Sequence, residues 1–345
     1  MKKKLLALVL TLAMALSLAA CGGGDAPAGS EGGDASAETQ EPAASGSSDT
    51  SGEKKVFEVG ISQFVTHDAL DAATQGFIDA MNDKLGEDGW KYDLQNAAND
   101  PANCSTIANS FVSKNVDLIM ANATPAVQAA ATATGDIPIL GTSVTEYGVA
   151  FNIENFSGTL GTNVSGTSDL APLDQQAEMI REWYPDAKTI GLLYCSNEPN
   201  SQYQVDTVQG FLEGMGFTCT QYAFTDSNDV AAVCQTAADA SDVLYVPTDN
   251  TAASNKSVID NICHGNIPVF CGEEGICAGC GVATLSISYY DIGYRTGEMA
   301  AQILTEGADI STMPIEYAPE FVKKYNPALC QALNVTAPEG YEAIG

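Results

Sequence analysis

Oxygen-bearing residues stand at matched positions in two halves of this sequence. The run Asp117-Leu118-Ile119-Met120 is echoed by Asp242-Val243-Leu244-Tyr245, and Asp136-Ile137-Pro138-Ile139-Leu140 by Asn266-Ile267-Pro268-Val269-Phe270. Counting equal distances from these runs pairs Thr124 with Asp249 and Ser143 with Glu273. One half therefore offers hydroxyls, with Thr145 close behind, where the other offers carboxylates. Thr124-Pro125 reads as N-cap and first residue of a helix, whose free N–H groups and dipole favour an anion. Asp249, with Asn250 beside it, Glu273 and Glu274 favour a cation. A small zwitterion such as an α-amino acid suits both, its carboxylate on Thr124 and Ser143 and its ammonium on Asp249 or Glu273. Each residue also has a plainer role. Thr124 and Asp249 cap helices with or without a ligand, and Glu273 and Glu274 are ordinary solvated acids.

Other candidates follow predicted strands. Gln63, Phe64 and His67 come directly after the first one. Tyr147, Tyr203, Tyr289 and Tyr290 lie near later strand ends or crossings, where an aromatic ligand would gain stacking and edge contacts. Gln63, Phe64 and Tyr289 are the expected partners of a ligand side chain. Asn197, with Asn200 and Ser201 opening the next helix, adds polar groups. Several of these equally serve packing.

The elements that must carry these residues alternate regularly. Val56 to Ile61 predicts a strand, and Leu70, Ala73, Phe77 and Met81 a helix by their spacing. Tyr92 and Leu94, Val116 to Met120, and Ile137 to Leu140 mark further strands, with helices between them. The pattern restarts after Asp169, with strands at Ile190–Tyr194, Phe217–Phe224, Val243–Val246, Ile267–Phe270 and Val282–Ser288. Helices fall between these, including Ala252–Cys263. Such alternation predicts doubly wound parallel sheets with helices on both faces, an α/β class. Two similar lobes follow, joined by a three-segment hinge near Asn163–Asp169, Ser288 and Pro314. The expected lobes are 56–165 plus 289–312 and 166–288 plus 313–345. In open α/β sheets ligands sit beyond the carboxyl ends of the strands, where the matched residues fall.

Length and charge agree with this layout. The chain has 345 residues, a formal net charge of −30, and 14 Lys and Arg against 44 Asp and Glu. Nucleic acid is excluded as a partner, because phosphate binding needs clustered basic residues. Met1-Lys2-Lys3-Lys4 is basic, Leu5 to Ala20 apolar, and Leu18-Ala19-Ala20-Cys21 resembles a bacterial lipobox. Residues 1–20 are thus expected to be a lipoprotein signal peptide, and Cys21 the lipidated residue that holds the chain to the outer side of a cell membrane. Two acyl chains suffice for stable anchoring. Gly22 to Lys55 contains no Ile, Leu, Val, Met, Phe, Tyr or Trp. Residues 21–55 therefore read as the lipid attachment point and a disordered tether.

Further stretches carry a family likeness. They are Gly60-Ile61-Ser62-Gln63-Phe64-Val65-Thr66-His67-Asp68-Ala69-Leu70-Asp71, Ala123-Thr124-Pro125-Ala126, and Asn163-Val164-Ser165-Gly166-Thr167-Ser168-Asp169-Leu170. Others are Val246-Pro247-Thr248-Asp249-Asn250-Thr251, Gly272-Glu273-Glu274-Gly275 and Tyr289-Tyr290-Asp291-Ile292-Gly293-Tyr294. On these, Val56 to about Val335 resembles the solute-binding lipoproteins of ABC importers, in the branch associated with tryptophan and tyrosine uptake. The resemblance implies a type I periplasmic-binding fold with the ligand between two lobes. It also implies a membrane permease and, through it, a cytoplasmic ATPase as partners. A monomer without cofactor or metal, binding Trp, Tyr or Phe, is the expectation; a branched amino acid, a nucleoside or a sugar are the alternatives.

Two other classes compete. An enzyme is disfavoured by the lack of a Walker loop, nucleophile elbow, His-Glu-x-x-His or dinucleotide fingerprint. A redox or metal-binding lipoprotein is suggested by Cys263-His264, Cys271 and Cys277-x-x-Cys280, whose density could hold zinc or a 277–280 disulfide. Against it, cysteines in a helix and at a buried strand end behave as small hydrophobes. A ligand sensor would share the same fold.

Overall fold

The computed structural model describes residues 55–345. The signal-like segment, Cys21 and nearly all of the tether lie outside the described residues. No described helix is long and apolar enough to cross a membrane.

The strands form two sheets. The first contains β1 (Phe57–Gln63), β2 (Trp90–Asn96), β3 (Leu118–Asn122), β4 (Ile139–Val144) and β5 (Val164–Ser168). The second contains β6 (Thr189–Cys195), β7 (Thr218–Phe224), β8 (Val243–Val246), β9 (Val269–Cys271) and β10 (Ala283–Ser286). β11 (Glu316–Tyr317) then returns to the first sheet, while β12 (Val322–Tyr325) and β13 (Glu342–Ala343) complete the second. The orders are β11-β5-β4-β3-β1-β2 and β13-β12-β10-β9-β8-β6-β7. Among the described strands only β10 and β12 pair antiparallel.

The internal repeat has a physical basis. β3 and β8 hold equivalent places, each between the first strand of its lobe and the strand that follows. The acid before each one ties that first strand down. Asp117 Oδ2 accepts from the Glu58 amide at 2.8 Å, and Asp242 Oδ2 from Lys188 and Thr189 at 2.8 and 2.9 Å. These amide bonds hold the Asp242 carboxyl below the usual range. The strands themselves are apolar, but for Asn122 at the end of β3, because both faces are covered. Along β3, Leu118 and Met120 enter one core while Ile119 and Ala121 enter the core on the opposite face.

The crossings fall later than the sequence suggests. β5 pairs with β4 up to Ser168, so a boundary at 165 cuts a strand of the first sheet. Glu316 and Tyr317 pair with Thr167 and Ser168, so the chain stays with the first lobe beyond 312 and crosses between β11 and β12 rather than at Pro314. Edge strands of two residues leave no periodic signal to place such a boundary. The expected helix Ala252–Cys263 is also two, Asn250–Ser254 and Lys256–Cys263. Asn255 breaks it, its side chain donating to Thr251 O at 2.7 Å and Ser227 Oγ at 2.9 Å, a local competition typical of asparagine.

The helix Tyr289–Ala301 joins the first lobe by lying against Asp68–Leu85 at very close range. Glycines permit this. A Cβ on Gly76 would meet the Tyr290 carbonyl, and one on Gly293 the Ala73 carbonyl. Because backbone cannot yield as a side chain does, Gly293→Ala should cost about 2–3 kcal/mol of stability. Urea denaturation checks this, with Gly135→Ala, which meets nothing within 4 Å, as a near-neutral control.

Candidate ligand-binding site

Both sheets end their strands towards a shared cleft, and one cavity there draws its walls from each lobe. His67, Leu70, Ser143, Thr145 and Asp169 come from the first lobe and its exit. Asn200, Thr248, Asp249, Asn250, Ala253 and Glu273 come from the second, and Tyr289 from the returning helix. The cavity is nearly shut, with about 10 Å³ open, room for about one water molecule.

Three oxygens in this lining are buried without a hydrogen-bond partner: Ser143 Oγ, Asp169 Oδ1 and Asn200 Oδ1. Ser143 is held in a left-handed backbone, φ 53°, at an irregularity where β4 shifts register against β5. Asp169 stands where the chain leaves β5. Its Oδ2 accepts from the Tyr289 hydroxyl at 2.9 Å, and burial pushes its carboxyl above the usual range. Asn200 spends its amide protons on the Thr248 carbonyl at 3.1 Å and neighbours, leaving Oδ1 bare. An orphaned buried acceptor costs about 1–3 kcal/mol. A group with several N–H donors, such as an ammonium, matches the set.

Asp249 and Glu273 line the cavity, but their oxygens are largely committed. Asp249 accepts from the Ala252 and Cys195 amides, both at 2.7 Å. Glu273 accepts from Gly275 and Ile276 at the head of its helix. Burial raises Asp249 to about 8, helped by the Glu198 charge, and Glu273 to about 7.

Of the residues expected from sequence, the cavity gathers His67, Ser143, Thr145, Asp249, Asn250, Glu273 and Tyr289. It does not gather Gln63, Phe64, Thr124, Pro125, Asn197, Ser201 or Glu274. Gln63 bonds Val65 O, Asp71 and Thr74, fastening β1 to the following helix. Phe64 packs in the core. Thr124 is the first helical residue, not the cap. The cap is Ala123 at φ 89°, whose carbonyl accepts from Ala126 and Val127. Pro125 therefore sits one place further in. Asn197 donates to Thr225 O on the exposed side, and buried Ser201 braces Asp249 and Asn200. Glu274 pairs with Lys324 at 2.6 Å in a neighbouring cleft of about 430 Å³, which shares Glu273 and Tyr289 with the main cavity. Leu70, Asp169, Thr248 and Ala253 were missed. Asp169 carried a signal, being the one acid in the small-residue run that ends the first lobe.

The described cysteines are free thiols. Cys277 and Cys280 share one helix and donate to carbonyls of their own turn, Gly281 O and Ile276 O, both at 3.4 Å.

The model of the family described as ABC transporter substrate binding protein matches residues 58–343. The chain belongs to this family. A tyrosine-binding protein from Clostridioides difficile (strain R20291) is 39% identical over 268 residues, 76% of each chain. An ABC domain from Streptococcus pneumonia, solved in complex with L-Trp, is 30% identical, with a TM-score of 0.80 over 84% of this chain and 100% of that one. A ligand-free, open substrate-binding protein from Clostridium difficile is 38% identical, yet its TM-score is 0.65 over 84% and 99%. Despite the lower identity, the ligand-bound relative fits better. The type I periplasmic-binding fold implied by the sequence is the fold found. Hydrogen bonds across the cleft, such as His67 Nε2 to Asn250 Oδ1 at 3.1 Å, give this ABC substrate-binding protein a closed form.

The buried acids predict a pH response. A carboxyl whose folded pKa is raised contributes stability that is complete below its ordinary pKa and is lost as pH rises through the raised value. Glu273 and Asp249 should therefore lower the melting temperature as pH rises through about 7 and 8. His67, held below its usual value by loss of water, acts oppositely, its contribution falling away as pH drops. Glu273→Gln should flatten the decline near pH 7; an unchanged slope in calorimetry between pH 5.5 and 9 would mean that Glu273 does not titrate there.

Proposed function

We propose that this substrate-binding protein captures an aromatic amino acid, tyrosine or tryptophan, and delivers it to the permease of an ABC importer. The orphaned oxygens of Ser143, Asp169 and Asn200 carry the reading. An α-ammonium supplies the missing donors, with the charge on Asp169, in place of the role first given to Asp249 and Glu273. Leu70, Ala253 and Tyr289 offer the apolar part of the lining. The Thr124 hydroxyl, at the head of its helix, is the candidate for the carboxylate once the cleft widens to admit a ligand. Capture of tyrosine and L-Trp by relatives at 39% and 30% identity supports the aromatic side chain.

Closure around the ligand means that only one form contacts it from both sides, so the ligand shifts the population to that form. The protein itself performs no chemistry in this reading. It works as a monomer outside the cytoplasm, held at the membrane by lipid on Cys21.

L-Tyrosine or L-tryptophan at 100 times its dissociation constant should stabilise the protein by about 2.7 kcal/mol. That is a thermal shift of roughly 4–5 °C. Asp169→Asn should weaken binding about 100-fold by calorimetry, consistent with losing a charge-assisted bond. A shift with a sugar and none with Trp, Tyr or Phe would overturn the amino-acid reading. For the anchor, Cys21→Ser should release the protein from membranes and abolish labelling by a radioactive fatty acid.

A further inference from the structure

One buried carboxylate that does not line the cavity controls the contacts across it. Glu198 is 2% exposed and stands just before the helix Pro199–Gly214. Both its oxygens are taken by the first turn of the helix Asn250–Ser254. Oε2 accepts from the Asn250 amide at 3.0 Å and from Asn250 Nδ2 at 2.7 Å. Oε1 accepts from the Thr251 amide at 2.9 Å and from the Thr251 hydroxyl at 2.8 Å.

These bonds set the polarity of what faces the first lobe. An ionised carboxylate only accepts. Asn250 must therefore turn its NH₂ inward, which leaves Oδ1 outward, 3.1 Å from His67 Nε2. The Thr251 proton likewise points to Glu198, which leaves its oxygen lone pairs free for Asn99 Nδ2 at 3.1 Å. His67 and Asn99 belong to the first lobe. Both arms thus run the same way, with first-lobe donors meeting second-lobe acceptors that a single carboxylate has oriented.

We propose that Glu198 is a positioning residue for lobe closure, orienting Asn250 and Thr251 as acceptors for His67 and Asn99. The role requires a two-lobed protein that closes, and it holds whichever solute is captured. Glutamine at 198 would aim an NH₂ at one of the two donor pairs, so one arm would lose its orientation. The closed form alone contains these arms. Their loss must speed opening and leave encounter unchanged.

Stopped-flow fluorescence with L-tyrosine tests this. If L-tyrosine gives no signal with the parent protein, the amino-acid reading fails instead, and the same measurement is made with whichever compound gives the largest shift in a thermal screen of amino acids, nucleosides and sugars. Glu198→Gln should raise the dissociation rate roughly tenfold, the scale of one lost buried hydrogen bond, with the association rate within about twofold. Asn99→Ala, on the partly exposed first-lobe side, does not touch Glu198 and keeps the test alive if Glu198→Gln fails to fold. It should raise the dissociation rate several-fold, as should Asn250→Ala on the other arm. In the Glu198→Gln background, whichever of the two belongs to the arm that glutamine disorders should add little. Unchanged dissociation in either Glu198→Gln or Asn99→Ala, a loss confined to association, or full additivity of both Asn99→Ala and Asn250→Ala with Glu198→Gln would overturn the proposal.

Discussion

Every polar atom at the mouth of this cleft must find a donor or an acceptor once water leaves. That demand organises the whole lower rim of the second lobe. Asp249, Glu273 and Glu198 are buried acids that would each be costly alone. Each is stabilised by backbone amides at the head of a short helix. The acids shape these helices, and the helices in turn place Asn250 and Thr251 against the other lobe. What remains unsatisfied after this internal pairing is small and local: Ser143, Asp169 and Asn200 in one shared lining. In the proposed reading, binding specificity rests on that remainder more than on the acids that stand out in the sequence.

The architecture was legible because its signals are local. Apolar runs bounded by turn residues marked the strands, and the repeat of Asp117 and Asp242 located equivalent strands in each lobe. The repeat reflects a shared task, since both acids bond the amides at the start of the neighbouring strand. The crossings were less legible. β11 has two residues, and its place beside β5 depends on long-range pairing that no window of sequence contains.

The site was legible in position more than in role. Counting from the repeat led to Thr124, Ser143, Asp249 and Glu273, and all but Thr124 line the cavity. Asp249 is the helix cap that the sequence allowed, but the counting could not choose between that role and an ammonium partner for it or for Glu273, because the preference of an acid for a helix N-terminus and for an ammonium is the same preference. Gln63 and Phe64 adjoin the cleft in sequence but turn away from it, one to fasten a helix and one to fill the core. Asp169 belongs to neither repeat, lying on a crossing that has no counterpart in the other lobe.

The order of strands also fixes the mechanics of opening. The chain leaves the first sheet from β5 and from β11 and returns to it from β10, through a helix that packs on β4 and β5, so that edge is the spine about which the lobes turn. Displacement on opening grows with distance from the spine and is greatest beyond β2. Asn99 follows β2 directly. Its bond to Thr251 therefore acts at the edge of the sheet away from the spine, where a weak force has more torque, whereas the bond from Tyr289 to Asp169 joins residues on the crossings themselves.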